Sequence, residues 1–246
     1  MPRFAAGFFS LSLIIVTASA GGAWWLERWL DRPGPLSEPT IAILEPGTGI
    51  RSIADQLAHM KAVDNSYLFV LAVAMDRNRR LLKAGEYAFP EKVNPRTILQ
   101  ILAAGDTLVH KLTVPEGLTS SEVMDLVDNA AALSGVVDTP PTEGWLLPET
   151  YHFSRGENRN DLIKRMEMAM QTTLHDLWAK RRTDLPYASP SEALVMASII
   201  EKETGRANER ARVAAVFVNR LRLKMPLQSD PTVLYGLTKG DSRLGR

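Results

Sequence analysis

Two glutamates at the end of an apolar segment are the strongest candidates for catalytic chemistry in this sequence. Glu201 and Glu203 close a predicted helix that begins with Ser189 as N-cap and Pro190 as its first residue, and that stops at Gly205. The residues between are apolar nearly all round, so we expect a buried central helix. A carboxyl group at the end of such a helix loses solvation as an anion, and it therefore retains a proton for use as a general acid.

The sequence spacing alone does not identify which of the two glutamates is the general acid. Glu203 lies four residues after Ile199 and shares its face, whereas Glu201 lies on the other side of the helix. The alternative is that both form an exposed acidic last turn, paired with Lys202 or Arg206. The pattern therefore indicates a general acid in this turn and leaves its identity open.

Two further helices are predicted after this turn. Asn208 is the expected N-cap of the first, which has an apolar stripe and a basic face. Asp230 is the expected N-cap of the second, with Pro231 as its first residue. Gln228 and Ser229 lie just before it, on a loop from which a side chain can reach a ligand.

The aromatic segment 144–151 (GWLLPETY) is a second candidate site. Trp145 and Tyr151 bracket a turn that carries Glu149 and Thr150, a composition suited to stacking against pyranose rings. The alternative, which residue types alone favour, is that the two aromatic side chains fill a seam of the core.

The upstream elements predict a small sheet-bearing module followed by a mainly helical second half, an α+β fold. A strand over 40–44, a glycine-containing turn, helices over 50–57 and 67–75 and a closing strand within 83–89 form the module. A short helix over 94–102 ends before Gly105. The strand, turn and helix order recurs over 112–127, either as a degenerate repeat or by coincidence. Residues 161–178 predict an amphipathic helix that packs in the core.

The amino terminus predicts export. No residue from Phe4 to Leu26 is charged, a length sufficient for a membrane-spanning helix, and Trp24, Trp25 and Trp29 suit the headgroup layer. The alternative is a cleavable signal peptide, because residues 18–20 are small. Residues 31–39, with three prolines, predict a stiff spacer. We expect the chain after this segment to lie outside the inner membrane.

Composition excludes several classes of function. The 246 residues include 29 Lys and Arg against 28 Asp and Glu, a balance that disfavours nucleic acid as a partner. With no cysteine, the chain has no disulfide, thiolate ligand or cysteine nucleophile. The four histidines lack metal-binding spacing, so we expect no metal and no cofactor.

Three segments resemble the endolytic murein transglycosylase (MltG/YceG-like) family: 197–204 (ASIIEKET), 216–221 (VFVNRL) and 227–233 (LQSDPTV). Earlier segments agree in the same order, namely 46–49 (PGTG), 83–87 (KAGEY), 115–117 (PEG) and 144–151. The likeness therefore extends along most of the chain.

This resemblance implies a domain order and a function. We expect a cytoplasmic tip and transmembrane anchor over 1–30, a linker over 31–39, a LysM-like subdomain over 40–105 and a periplasmic catalytic domain over 106–246. The substrate would be peptidoglycan, cut within nascent glycan strands between MurNAc and GlcNAc to leave a 1,6-anhydro-MurNAc end and to stop elongation. Peptidoglycan synthases are the expected protein partners.

The family's catalytic glutamate matches Glu203. One acid would protonate the leaving glycosidic oxygen and then accept the proton of the C6 hydroxyl of the same sugar. Intramolecular attack needs no second carboxylate. The candidate substrate-binding residues are Glu149, Thr150, Tyr151, Thr204, Asn219, Gln228 and Asp230.

Two other functions stay open at this point. The chain could be a non-catalytic peptidoglycan-binding scaffold for the synthases, or a muramidase that uses water with Glu149 or Asp230 as a second carboxylate. Family members usually continue past Arg246. We therefore expect an incomplete catalytic domain with reduced or absent activity, and poor order in residues 239–246.

Overall fold

The computed structural model of the chain describes residues 2–75 and 82–238. These residues form two compact units, of which the first ends at Leu108 and the second begins at Val109. The fold is α+β, with small antiparallel sheets and a predominance of helix. The expectation for residues 239–246 lies outside the described residues.

The first unit contains a strand, helix, helix and strand in the predicted order. Its elements are α1 (Pro2–Leu30), β1 (Thr40–Leu44), α2 (Ile50–His59), α3 (Ser66–Met75), β2 (Gly85–Phe89) and α4 (Pro95–Ala104). β1 and β2 pair antiparallel, with Thr40 opposite Phe89 and Leu44 opposite Gly85. Leu57, Phe69 and Tyr87 are fully buried between these elements. The prediction of this module's secondary structure is confirmed.

Local chemistry explains the bounds of α4. The side chain of Asn94 accepts a hydrogen bond from the Thr97 amide at 2.7 Å, and Pro95 is the first helical residue. Gly105 ends the helix in the left-handed conformation, with φ of 78°. The predicted start and stop of this helix are confirmed.

Helix α1 covers the segment predicted as a transmembrane anchor. In the described residues, however, no helix combines the length and the apolarity that a membrane span requires. The last turns of α1 contain Glu27 and Arg28, while Leu26 and Trp29 are buried in the core of the first unit. The Trp29 indole donates to Asp64 Oδ1 at 2.8 Å, so this side chain packs within the protein instead of facing a headgroup layer.

Residues 31–39 pack along the first unit and do not form a free-standing spacer. The Gly34 amide donates to Val93 O at 3.1 Å, and Leu36 is buried. A Cβ atom on Gly34 would lie 2.3 Å from Val93 O and 2.9 Å from Ala62 O, so only glycine fits here. Arg96 binds Asp31 through Nε at 2.6 Å. The chain after α1 is therefore fixed to the unit.

The second unit combines a two-stranded sheet with five helices among its described residues. Its elements are β3 (Val109–Thr113), α5 (Ser120–Asp128), β4 (Thr150–Ser154), α6 (Arg159–Ala179), α7 (Pro190–Glu203), α8 (Ala207–Arg222) and α9 (Asp230–Thr238). β3 and β4 pair antiparallel, with Val109 opposite Ser154 and Thr113 opposite Thr150. Val127, Leu162 and Met166 are fully buried between the sheet, α5 and α6. Strand β4 was not predicted from the sequence.

Candidate active site

Helix α7 carries the two candidate acids, and it begins as predicted. The Ser189 hydroxyl accepts from the Glu192 amide at 3.3 Å, and Pro190 is the first helical residue. The Glu192 carboxylate accepts from the Ala188 amide at 2.8 Å. The helix ends at Glu203, where Thr204 is already extended with φ of −149°, so Thr204 and not Gly205 is the C-cap.

The expectation that α7 is a buried central helix is wrong. Met196 is its one buried residue, and Val195 is 60% exposed. The helix contacts α6, α8 and α9, which cover only part of its surface. Apolar residues all round a helix do not specify which neighbours are present to cover them. As a consequence, Glu203 is exposed to solvent, and the loss of solvation predicted for this carboxyl group is not found.

Glu201 is engaged in an ion pair. Its Oε2 lies 2.8 Å from Arg210 Nη2, and its side chain is 24% exposed. The partner comes from α8 and is neither Lys202 nor Arg206, the neighbours considered from the sequence. A carboxylate bound to a guanidinium in this way is a structural contact, which makes Glu201 the weaker candidate for proton transfer.

Glu203 is bonded to a hydroxyl group. Its Oε1 accepts a hydrogen bond from Ser229 Oγ, and Ser229 is 2% exposed. In the described part of the chain, no cation pairs with Glu203 and no donor bonds to its Oε2. From the sequence, Ser229 was expected on a loop within reach of a ligand, but it was not among the candidate substrate-binding residues. The geometry therefore distinguishes the two acids that spacing left open.

Thr204 fixes the turn that follows Glu203. Its hydroxyl donates to Glu209 Oε2 at 3.0 Å and accepts from the Arg206 amide at 3.1 Å. These bonds connect the end of α7 to the start of α8, whose N-cap is Arg206. The predicted N-cap, Asn208, lies inside α8, because Thr204 and not an Asn side chain satisfies this terminus. The Thr204 hydroxyl is used by the turn and has no bond to Glu203.

Gln228 and Asp230 precede and follow Ser229, whose hydroxyl bonds to Glu203. Gln228 is exposed and has a φ of 50°, a strained value for a residue other than glycine. Asp230 is exposed and is the first residue of α9, where the Ser229 carbonyl accepts from the Thr232 amide at 3.1 Å. The predicted N-cap therefore shifts by one residue to Ser229. Asn219 is exposed on α8.

Tyr151 of the aromatic segment belongs to the core around β3 and β4, whereas Trp145 is half-buried. Tyr151 is buried, and its hydroxyl donates to Leu147 O at 2.7 Å. Burial raises the pKa of Tyr151 to about 12, and the Glu149 carboxylate adds to the shift. Thr150 Oγ1 lies 3.0 Å from Thr113 Oγ1, and Glu149 Oε1 accepts from the Thr150 amide at 2.9 Å. For Tyr151, this burial agrees with the alternative interpretation, in which the aromatic side chain fills a seam of the core.

The turn 115–117 lies against the end of α7. Gly117 has φ of 79°, and a Cβ atom there would lie 3.7 Å from Glu201 Cγ and 3.9 Å from Lys202 Cε. The segment PEG is therefore close to the acidic turn, a proximity that was not predicted from the sequence.

The arrangement suits proton transfer by one carboxyl group. Among residues 2–75 and 82–238, no three His, Asp or Glu side chains are close enough to bind a metal ion. Glu203 combines an exposed position with one bonded oxygen and one free oxygen. A carboxyl group so placed can donate a proton to a bound substrate and later recover one.

The sequence model of the YceG-like family matches residues 43–246, and the chain belongs to this family. The predicted resemblance is confirmed. The chain is 27% identical to the endolytic murein transglycosylase of Streptococcus pneumoniae D39, over 94% of this chain and 50% of that protein. It is 41% identical to the endolytic murein transglycosylase of Bacillus subtilis 168, over 42% of this chain and 29% of that protein.

The chain thus spans about half the length of the Streptococcus relative. A crystal structure of a YceG-like protein from Listeria monocytogenes shares 27% identity, covering 81% of this chain and 76% of that one, with a TM-score of 0.41.

Proposed function

We propose that this protein is a peptidoglycan lytic transglycosylase in which Glu203 is the single catalytic acid and base. The observation that carries the proposal is the bond between Glu203 and Ser229, which leaves one carboxyl oxygen accessible, whereas Glu201 is bound by Arg210. Family membership and the names of the Streptococcus and Bacillus relatives support murein as the substrate.

In the proposed reaction, Glu203 first donates its proton to the glycosidic oxygen between MurNAc and GlcNAc, and the bond from C1 of MurNAc to that oxygen breaks. The Glu203 carboxylate then accepts the proton of the MurNAc C6 hydroxyl, and the C6 oxygen bonds to C1. The products are a 1,6-anhydro-MurNAc end and a free GlcNAc hydroxyl. No water is consumed, and Glu203 regains its proton.

The attacking group belongs to the substrate, so the reaction does not need a second carboxylate for water or for a covalent intermediate. This agrees with a site in which the neighbouring acid, Glu201, is already engaged by Arg210. The muramidase alternative would require Glu149 or Asp230 to activate water opposite Glu203. Glu149 bonds to the Thr150 amide beside β4, which does not favour it for that role.

We further propose that cutting occurs within nascent strands and stops their elongation, with peptidoglycan synthases as partners. The name of the Streptococcus and Bacillus relatives, endolytic murein transglycosylase, supports the position of the cut. The order β1, α2, α3 and β2 supports a LysM-like subdomain that binds glycan. Because peptidoglycan lies outside the inner membrane, we propose a periplasmic location for the domain. Attachment to the inner membrane through residues 1–30 rests on the uncharged sequence alone.

The test is product analysis for the purified chain and two matched variants. Glu203→Gln removes the proton donor with little change in shape, so anhydro ends should decrease about 10²- to 10⁴-fold. Glu201→Gln makes the same change two residues away and should remain within about tenfold of the parent chain. Mass spectrometry of digested glycan strands measures both, and circular dichroism confirms that each variant is folded.

The same experiment distinguishes the transglycosylase from a hydrolase and from a non-catalytic scaffold. Reducing ends one water heavier than anhydro ends would identify a hydrolase. Glycan binding without any cutting by a chain extended to the length of the Streptococcus relative would support the scaffold. Undiminished cutting by Glu203→Gln would refute the assignment of the acid.

A further inference from the structure

Ser229 combines deep burial with a single functional contact. Ser229 is 2% exposed, yet its hydroxyl donates a hydrogen bond to the exposed Glu203. The two residues are 26 positions apart, on different elements. The hydroxyl therefore approaches Glu203 from the protein side, and it leaves the solvent side of the carboxyl group open.

The backbone at Ser229 is fixed by the start of α9. Its carbonyl accepts from the Thr232 amide at 3.1 Å and from the Thr232 hydroxyl at 2.7 Å. These two bonds satisfy the first turn of the helix and restrict the orientation of the Ser229 peptide group. Movement of the hydroxyl would therefore disturb the start of α9.

The segment before Ser229 is held in an uncommon conformation. Lys224 and Gln228 have φ of 54° and 50°, which residues with a Cβ atom rarely adopt. Arg220 Nη1 donates to Leu227 O, and the Met225 amide donates to Arg220 O at 2.8 Å. Strained backbone persists only where surrounding contacts determine it, and it clusters at functional sites. Here the strained backbone lies directly before Ser229 and determines the position of its hydroxyl group.

We propose that Ser229 is a positioning residue that binds Oε1 of Glu203 so that Oε2 transfers the proton. The inference rests on the proposed function of Glu203. A glutamate side chain rotates broadly about its last bond, so an exposed carboxyl group offers either oxygen to a substrate. Bonding one oxygen to a fixed donor removes this freedom.

The bond serves both halves of the reaction. When Glu203 is a carboxylate, Oε1 accepts from the Ser229 hydroxyl; when the proton is on Oε2, Oε1 is still an acceptor. The contact therefore does not have to break as the proton leaves and returns. A preoriented acid loses less freedom when the substrate binds, and this lowers the barrier of the chemical step.

The experiment compares Ser229→Ala and Ser229→Thr with the control Ser198→Ala. Ser198 lies on the same helix as Glu203, is exposed, and donates only to its own helix at Val195 O, 2.7 Å away. Ser229→Ala should lower kcat about 10- to 100-fold, the loss expected for one hydrogen bond to a charged group, and leave KM within about twofold. Ser229→Thr retains the hydroxyl and should recover most of kcat, whereas Ser198→Ala should match the parent chain.

A second measurement does not depend on turnover. The ¹³C signal of the Glu203 carboxyl carbon, assigned by its loss in Glu203→Gln, should move in Ser229→Ala at neutral pH and return toward the parent position in Ser229→Thr. An unchanged signal in Ser229→Ala would overturn the positioning role, as would undiminished kcat. That failure is distinct from failure of the proposed function, which would show as full activity in Glu203→Gln.

Discussion

The second unit contains two regions that differ in what fixes their geometry. Around β3, β4, α5 and the first half of α6, apolar side chains form a continuous core in which Val127, Leu162 and Met166 are fully buried. In α7, α8 and α9, the described buried apolar side chains are Met196 and Phe217. The candidate catalytic group lies in the second of these regions.

Polar contacts replace the core in the helical region. Ser229 bonds to Glu203, Arg210 pairs with Glu201, and Thr204 bonds to Glu209. Contacts of this kind contribute little to global stability when they are partly exposed, but they are directional and define the geometry of the groups they join. We therefore expect substitutions in the core around β3 and β4 to change stability, and substitutions in the helical region α7 to α9 to change activity.

The largest stability effect should come from the core. Met166→Ala removes a fully buried side chain and should lower the free energy of unfolding by about 2 to 5 kcal/mol. Met168→Ala on the same helix removes a side chain that is 64% exposed, and it should change stability by less than about 0.5 kcal/mol. Urea titration, with hydrogen exchange of α6 peptides as the probe, measures both. Equal losses of stability for Met166→Ala and Met168→Ala would show that burial in this core does not determine stability.

An intermediate effect should appear at alkaline pH through Tyr151. Its pKa rises from 10.0 in the unfolded chain to about 12 in the core, so the folded form retains a proton that the unfolded form loses. The resulting stability is complete below about pH 10 and is lost as pH rises toward about 12, by about 2 to 3 kcal/mol. Tyr151→Phe removes this part of the loss.

The measurement is the free energy of unfolding of the parent chain and Tyr151→Phe at several pH values across this range. Loss of the bond to Leu147 O lowers the variant's stability at neutral pH by about 1 kcal/mol. Because the parent chain loses about 2 to 3 kcal/mol over this range, the two curves should converge and then cross at about pH 11, above which Tyr151→Phe is the more stable. Parallel curves would show that the phenol is not buried as described.

The smallest stability effect should come from the helical region. Arg210→Met removes the ion pair with Glu201 and should cost about 0.5 to 1 kcal/mol, less at high salt. Arg210 Nε is buried without a hydrogen-bond partner among the described residues, and its removal offsets part of this loss. Arg212→Met, an exposed position on the same helix, is the control. A loss as large as that of Met166→Ala would assign α8 to the core region.

The sequence predicted those helix ends that are determined by residues close to them along the chain. Asn94 and Gly105 delimit α4, and Ser189 and Pro190 begin α7, because each terminus is satisfied by residues within a few positions of it. The family resemblance, which rests on short strings, was also confirmed.

What sequence did not predict depends on contacts between distant residues. Spacing could not separate Glu201 from Glu203, because the difference lies in Arg210 and Ser229 on later elements. The burial of α7 was wrong for the same reason, since an apolar helix does not identify its neighbours. Strand β4 was missed because its aromatic side chains also suited a sugar-binding wall, and only pairing with β3 distinguishes the two.

The close packing at Gly34 has a mechanical consequence for the first unit. Gly34 is bonded to Val93, and Arg96 is bonded to Glu27 and Asp31. These contacts fix the chain between helix α1 and strand β1 to the first unit. A tensile load applied to α1 therefore passes directly into the paired strands, where hydrogen bonds across β1 and β2 share it. Replacing Gly34 with any bulkier residue would place its Cβ against Val93 O and Ala62 O and weaken the attachment of the segment at this point.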